Sequence, residues 1–235
     1  MYPEVTFTIT TYKRLEMFKK TMKSFMKKCM DKDLITRWIL VDDGSPQEEL
    51  DEIKELYPVF EIVQNTADRR GQPVSLNKII DMVETEWFFH CEDDWMFLVP
   101  FFIGNLFDIA NDDRRIKNVI LRNKRGNVLY GREGNLMYNL HKYDPVMEPP
   151  LVKHRSPCIL DCDTNWFGYS WNPGLHHIPT LEIIGELDEG HSNISRRWDR
   201  AHALRYLELG FKRANPVDKI YIEHIGEGLS EGYQH

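Results

Sequence analysis

Apolar and polar positions alternate in two rhythms along the first ninety residues. EVTFTIT (4–10) is rich in β-branched and aromatic residues and predicts a strand. Leu15, Phe18, Met22, Phe25, Met26 and Cys29 follow, mostly at spacings of three and four, the signature of one helix face. RWILV (37–41) predicts a second, buried strand, and VDDGSPQEEL opens a second helix carrying Leu50, Ile53 and Leu56. That helix start is legible residue by residue: Ser45 as N-cap, Pro46 at the first helical position, and Glu48 closing a capping box. A third unit joins the strand FEIVQ (60–64) to the helix PVSLNKIIDMV (73–83), whose Leu76, Ile79, Ile80 and Val83 share a face. EWFFHC (86–91) predicts the fourth strand.

Strands alternating with helices predict an α/β fold with a mostly parallel, Rossmann-like sheet covered on both faces. In such sheets ligands bind outside the carboxyl ends of the strands. That rule gathers residues 10–14, 42–45, 65–71 and 92–94 along one rim.

After residue 110 the periodicity weakens. NVILRNKRGNVLYGRE (118–133) predicts a hairpin, and the Pro-bearing stretch 139–157 predicts a long surface loop, which either covers a substrate or, as is commoner for such stretches, is plain exposed linkage. Helices are expected near 179–185 and 195–209, and a strand over DKIYIEH (218–224). No internal repeat interrupts the chain, which predicts a single domain, 1–235. Its two halves are 1–98, where the alternation is regular, and 99–235.

Charge narrows the possibilities. A formal net charge of -7 argues against a nucleic-acid binder working through a broad basic surface, so any phosphate must be held locally. The four cysteines are scattered, and Cys158 with Cys162 lacks the second matched pair of a zinc site. Reduced thiols predict a cytoplasmic setting. The longest apolar run, 95–107, carries Pro and Gly and is shorter than the ~20 residues of a membrane span, so no transmembrane segment is expected. A strand pattern that begins almost at once leaves no room for a signal peptide.

The chemistry concentrates in two acidic clusters. Asp42 and Asp43 end the second strand, and Glu92, Asp93 and Asp94 end the fourth. Burying like charges this close is costly unless something positive sits among them. A hard divalent cation, Mn2+ or Mg2+, is commonly held by one or two protein carboxylates and completes its shell with substrate phosphates.

In this order the motifs resemble the GT-A fold nucleotide-diphospho-sugar glycosyltransferases, and in particular the inverting family-two glycosyltransferases. The resemblance is carried by TITTYKR, ILVDDGS, NTADRRGQPVSLNKII and FFHCEDDW, which stands in place of the Asp-x-Asp motif. It implies that 1–98 is a nucleotide-binding half and 99–235 an acceptor-binding half, that Thr10 and Tyr12 line a base pocket, that Asp43 accepts from the nucleobase, and that Asp93 faces the ribose. Asp94 becomes the metal ligand beside the diphosphate. Arg14 and Arg70 are assigned to the nucleotide, with Arg69 as the alternative to Arg70 for neutralising the diphosphate. An aromatic wall such as Tyr12 and a carboxylate acceptor suit a nucleobase.

In the second half, WDRAHALRYLELGFK (198–212) is similar to the family's acidic helix, keeping Asp199, Leu204, Arg205, Gly210 and Phe211 in register, with Trp198 where the family has Glu. The resemblance makes Asp199 the catalytic base, with Asp188 and Glu189 as alternatives. His224, after the last strand, corresponds to a histidine that completes the metal or diphosphate site in many GT-A enzymes. Trp166 and Trp171 offer aromatic faces for donor sugar or acceptor, with core packing as their alternative use. The implied reaction is metal-dependent, inverting transfer of one sugar to a hydroxyl acceptor on a glycan, lipid-linked group or protein. The donor is a nucleoside-diphosphate sugar, UDP-linked by preference and GDP-linked as a second choice. A sugar-nucleotidyltransferase is disfavoured because no glycine follows the first strand in TTYKRLEMF. A non-catalytic nucleotide-sugar or glycan-binding module is the rival from another class.

Overall fold

The computed structural model describes residues 1–121, 168–191, 195–216 and 219–226. Its first half follows the expected alternation: β1 (Val5–Thr11), α1 (Leu15–Lys28), β2 (Ile35–Asp42), α2 (Gln47–Leu56), β3 (Phe60–Gln64), α3 (Gln72–Met82) and β4 (Trp87–Glu92). Then come β5 (Trp95–Phe97), α4 (Ile103–Asp112), β6 (Ile116–Ile120) and β7 (Gly174–His177). The last described elements are α5 (Ile178–Ile184), α6 (Ser195–Glu208), β8 (Lys212–Ala214) and β9 (Ile222–His224). The main sheet has the order β3-β2-β1-β4-β7-β6-β8, while β5 and β9 form a separate antiparallel ribbon. β3, β2, β1 and β4 run parallel, and β7 is antiparallel to both of its neighbours, β4 and β6.

Both faces of the sheet are buried, but they differ in kind. Val5, Phe7 and Ile9 of β1 and Phe89 and Cys91 of β4 point to the side covered by α1, α2 and α4. Phe7, Phe25, Phe89, Phe97 and Phe101 form a continuous ring cluster there, with Phe7 and Phe25 centroids 4.5 Å apart. Phe18, Met22 and Phe25 anchor α1 into it, each contributing about 1.5–3 kcal/mol by burial. The alternate positions, Thr6, Thr8 and His90, are buried on the other side, toward α3, α5 and α6. Period-two alternation in β1 therefore separates an aromatic core from a core with polar members, not core from solvent.

Three expectations need correction. Met26 is 37 % exposed, because the buried stripe of α1 continues from Phe25 to Cys29. The capping box of α2 does not form. Pro46 is the N-cap, and Ser45 Oγ accepts from Lys13 N–H while its hydroxyl donates to Asp42 Oδ2 at 2.5 Å, so its oxygen is used at the end of β1 and not at the helix end. The hairpin over 118–133 cannot pair through its first strand, since β6 is already flanked by β7 and β8. Its remainder and the expected loop at 139–157 lie outside the described residues, as do Cys158 and Cys162. Cys29 and Cys91 are free, buried thiols.

Candidate active site

The carboxyl ends of β1 to β4 meet as expected. β1 leaves the sheet through Lys13, which among the described residues is the only non-glycine with left-handed backbone (φ 51°). Its N–H donates to Ser45 Oγ at 2.7 Å, which fastens the end of β1 to that of β2. The two adjacent aspartates there have different uses. Asp42 is fully buried and accepts from the N–H groups of Gly44 and Ser45 and from Gln64 Nε2, making it the structural centre of the turn. Asp43 Oδ1 reaches the loop after β3, accepting from Asn65 Nδ2 at 2.8 Å and from Gly71 N–H at 2.6 Å. Tyr12 and Arg70 converge on Gly44, where an added Cβ would lie 3.8 Å from Tyr12 Cε2 and 4.0 Å from an Arg70 terminal nitrogen. Thr10 is half-buried beside them, in register with Val41 and Glu92.

At the end of β4, the positive group among the acids is Arg14. Its guanidinium donates to Asp93 Oδ1 at 3.2 Å and Asp94 Oδ2 at 2.9 Å. Thr11 Oγ1 donates to Asp93 Oδ2 at 2.7 Å, while Glu92 accepts from Gln72 Nε2 and Trp95 Nε1. Burial and the adjacent Asp94 push Glu92 up to about 7 and Asp93 up to about 6. For Asp94 burial acts in the same sense, but His224 and Arg14 outweigh it and hold the carboxyl below its ordinary value. His224 Nε2 lies 3.1 Å from Asp94 Oδ2, delivered by the Trp95–His224 register of the β5–β9 ribbon. Gly226 passes so close that a Cβ would lie 2.5 Å from the same oxygen.

Asp94 Oδ1, in contrast, is buried and has no hydrogen-bond partner among the described residues. An orphaned carboxylate oxygen beside an imidazole suits a divalent cation that draws its remaining ligands from substrate phosphates and water. Among the described residues there is no cluster of three or more His, Cys, Asp or Glu side chains arranged to hold a metal. The described residues therefore offer a partial shell.

Across the rim, Asn77 of α3 clamps the segment before α6. Its amide accepts from Leu187 N–H and donates to Leu187 C=O, both at 2.9 Å, and donates to Glu189 Oε1 at 3.0 Å. Arg69 forms a two-pronged ion pair with Glu189 at 2.9 and 3.0 Å, so it points toward the second half instead of into the site. These contacts hold Glu189 below its ordinary carboxylate range, Arg69 first and Asn77 second, which makes it a weak base. A groove of about 670 Å³ is lined by Asp188, Glu189, Arg69, Ala201 and Arg205, among others. Asp199 is half-buried on the same helix as Ala201 and Arg205, whereas its neighbour Trp198 is buried in the core.

Trp171 is 6 % exposed and stacks on His176 (5.4 Å) and His202 (5.7 Å), so its ring is committed to packing. Trp166 lies outside the described residues. The sequence reading did not single out Asn77, Gln72 or Thr11. Asn77 carried a signal, being a polar residue inside the apolar stripe of α3.

A mostly parallel sheet with a carboxylate cluster ending its fourth strand, followed by an antiparallel strand inserted beside it, is the GT-A arrangement of nucleotide-diphospho-sugar transferases. The family profile for glycosyl transferase family 2 matches residues 6–160, and the chain belongs to that family. The mannosyltransferase PcManGT from Pyrobaculum calidifontis, solved with GDP-Man and Mn2+, is similar at a TM-score of 0.65 and 16% identity, covering 99% of this chain and 59% of that one. S. aureus TarS 1-349 with UDP-GlcNAc gives 0.59 at 15% identity, over 95% of this chain and 61% of that one. GalNAc-T7 with UDP, GalNAc and Mn2+ gives 0.60 at 13% identity, over 94% and 43%. At these identities the likeness is one of fold, and this chain spans only 43% to 61% of the three proteins' lengths. No curated protein sequence matches the chain.

Proposed function

We propose that the chain is a glycosyltransferase that moves one sugar from a nucleoside-diphosphate sugar to a hydroxyl acceptor on a glycan, lipid-linked group or protein, with inversion, in the cytoplasm. The observation that carries this reading is the buried, unpartnered Asp94 Oδ1 beside His224 at the end of β4, in a chain of this family. UDP-sugars are the preferred donors and GDP-sugars the second choice, in keeping with the UDP-GlcNAc and GDP-Man bound by the similar structures. Asp94 and His224 would hold Mn2+ or Mg2+, which offsets the charge that builds on a leaving diphosphate.

The chain's own side chains supply the rest. Tyr12 gives the nucleobase a flat wall, Arg70 adds positive charge beside it, and Asp43 keeps the β3–α3 loop closed through Gly71. Asp93, tied to Thr11 and Arg14, faces the ribose. In a single displacement the acceptor oxygen bonds to the anomeric carbon as the bond to the diphosphate oxygen breaks, and a carboxylate takes the acceptor's proton. Asp199 is assigned that role, with Asp188 as the alternative. Glu189 is less suited because Arg69 already engages both of its oxygens.

A thermal-shift panel of UDP, GDP, dTDP, CDP and CMP, each with and without Mn2+, tests the reading. One nucleotide should raise Tm only with metal, and Asp94→Ala should abolish the rise. Asp199→Ala should keep that rise while losing donor hydrolysis and transfer. If no nucleotide stabilises the protein, the acids are structural and the transferase reading fails.

A further inference from the structure

We infer that the C-terminal half of α1, together with the loop between β5 and α4, is a docking surface for an anionic membrane. Residues 13–32 carry eight Lys or Arg against two acids, in a chain whose net charge is -7. Lys20, Lys23 and Lys27 follow one another along the exposed stripe of α1, where four- and three-residue steps keep them on one face. Among the described residues, none of these three nor Lys28 has an ion-pair partner. Of the two acids, Glu16 is already taken by Lys19, and Asp31 accepts from Ile103 N–H and Gly104 N–H at the start of α4. Asp33, just beyond, is exposed.

Apolar side chains lie on the same side. Met30 is 52 % exposed, Phe102 46 % and Leu98 37 %. The backbone brings them together: Phe97 N–H donates to Ser24 Oγ, Phe101 N–H to Lys28 C=O, and Met30 N–H to Phe101 C=O. Projecting hydrocarbon ringed by uncompensated lysines fits a surface with phosphate outside and acyl chains beneath. Nucleic acid would use the lysines and leave the apolar tips in water. The chain would lie on such a surface without crossing it, since among the described residues no helix is long and apolar enough to span. The 14 residues of α1 separate this end from the rim carrying Arg14 by about 20 Å. A docked molecule would thus hold its sugar-transfer site above the headgroups.

Co-sedimentation of the full chain with phosphatidylcholine vesicles, with and without phosphatidylserine, decides the matter. Wild type should sediment with the anionic vesicles only and be released by high salt. Lys23→Glu with Lys27→Glu should weaken binding by about fivefold per lysine or more, and Phe102→Ser with Met30→Ser by several-fold. Both pairs are at exposed positions, so Tm and nucleotide-induced shifts should be unchanged. Failure to sediment, or equal sedimentation with neutral vesicles, overturns the inference. So does a dimer in size-exclusion chromatography that Phe102→Ser dissociates, which would make a second copy the occupant. None of these outcomes depends on the transferase reading.

Discussion

Asp42 and Asp43 stand side by side in the sequence and are indistinguishable there, yet one is a buried hub of a turn and the other closes a loop 28 residues away. Composition at the strand end was enough to locate the rim, but the division of labour depends on which donors arrive from β3 and α3. Ser45 shows the same limit: its spacing to Glu48 suits a capping box, but its oxygen accepts from Lys13 N–H and its hydroxyl donates to Asp42. Asn77 is the clearest case of a residue whose meaning lies across the fold. Replacing it with Ala leaves Leu187 N–H and C=O buried without partners, and should cost about 1–3 kcal/mol in urea unfolding. Asn77→Asp should cost more, because its carboxylate would face Glu189 at the distance where the amide now donates. An unchanged midpoint for both variants would show that the clamp contributes nothing.

At the scale of elements, what could be read depended on length. Strands and helices of five residues or more in the first half have enough periods to declare themselves, and β1 to β4 appear close to where the pattern put them. β5, β7 and β8 have three or four residues and no usable period, so only their partners define them. The apolar run 95–107 resolves into β5 and α4, two elements on one aromatic core, with a turn between them. The start of α4 is capped from a distance. Phe102, its own N-cap residue, has no side-chain acceptor, while Asp31 accepts from the first two helical N–H groups at 2.8 Å each. Asp31→Ala should therefore destabilise the protein by about 1 kcal/mol, read as a lower urea midpoint with unchanged slope. An unaltered midpoint would mean that water replaces the cap at no cost.

For the molecule as a whole, the two cores predict different responses to acid. The aromatic core has nothing that titrates in acid, its buried thiols being pushed upward, whereas His90, His176 and His202 are fully buried on the other face. Burial pushes His90 and His202 down to about 3 and holds His176 well below its ordinary value. Each takes up a proton on unfolding below about pH 6.5, so the stability present above that pH is lost as pH falls toward 3. Glu92 and Asp93, pushed upward, act in the opposite sense between about 7 and 4, because the folded state then binds their protons first. The variant that separates the two effects is His202→Phe. Between pH 6 and 5 its stability should fall less steeply than that of wild type by about 1.4 kcal/mol per pH unit. Parallel curves for the two proteins would show that His202 is not held neutral.

The strand order also has a bearing on synthesis. β4 gains β1 on one side as soon as both exist, but its other neighbour, β7, is encoded about eighty residues later in the chain. At ordinary elongation rates the nascent polypeptide leaves the ribosome for on the order of ten seconds with that edge bare. Phe88 and Phe89 stand on it throughout, next to a ladder of unpaired amides. The hazard of mispairing therefore falls during translation, before a finished chain exists to be stable or unstable.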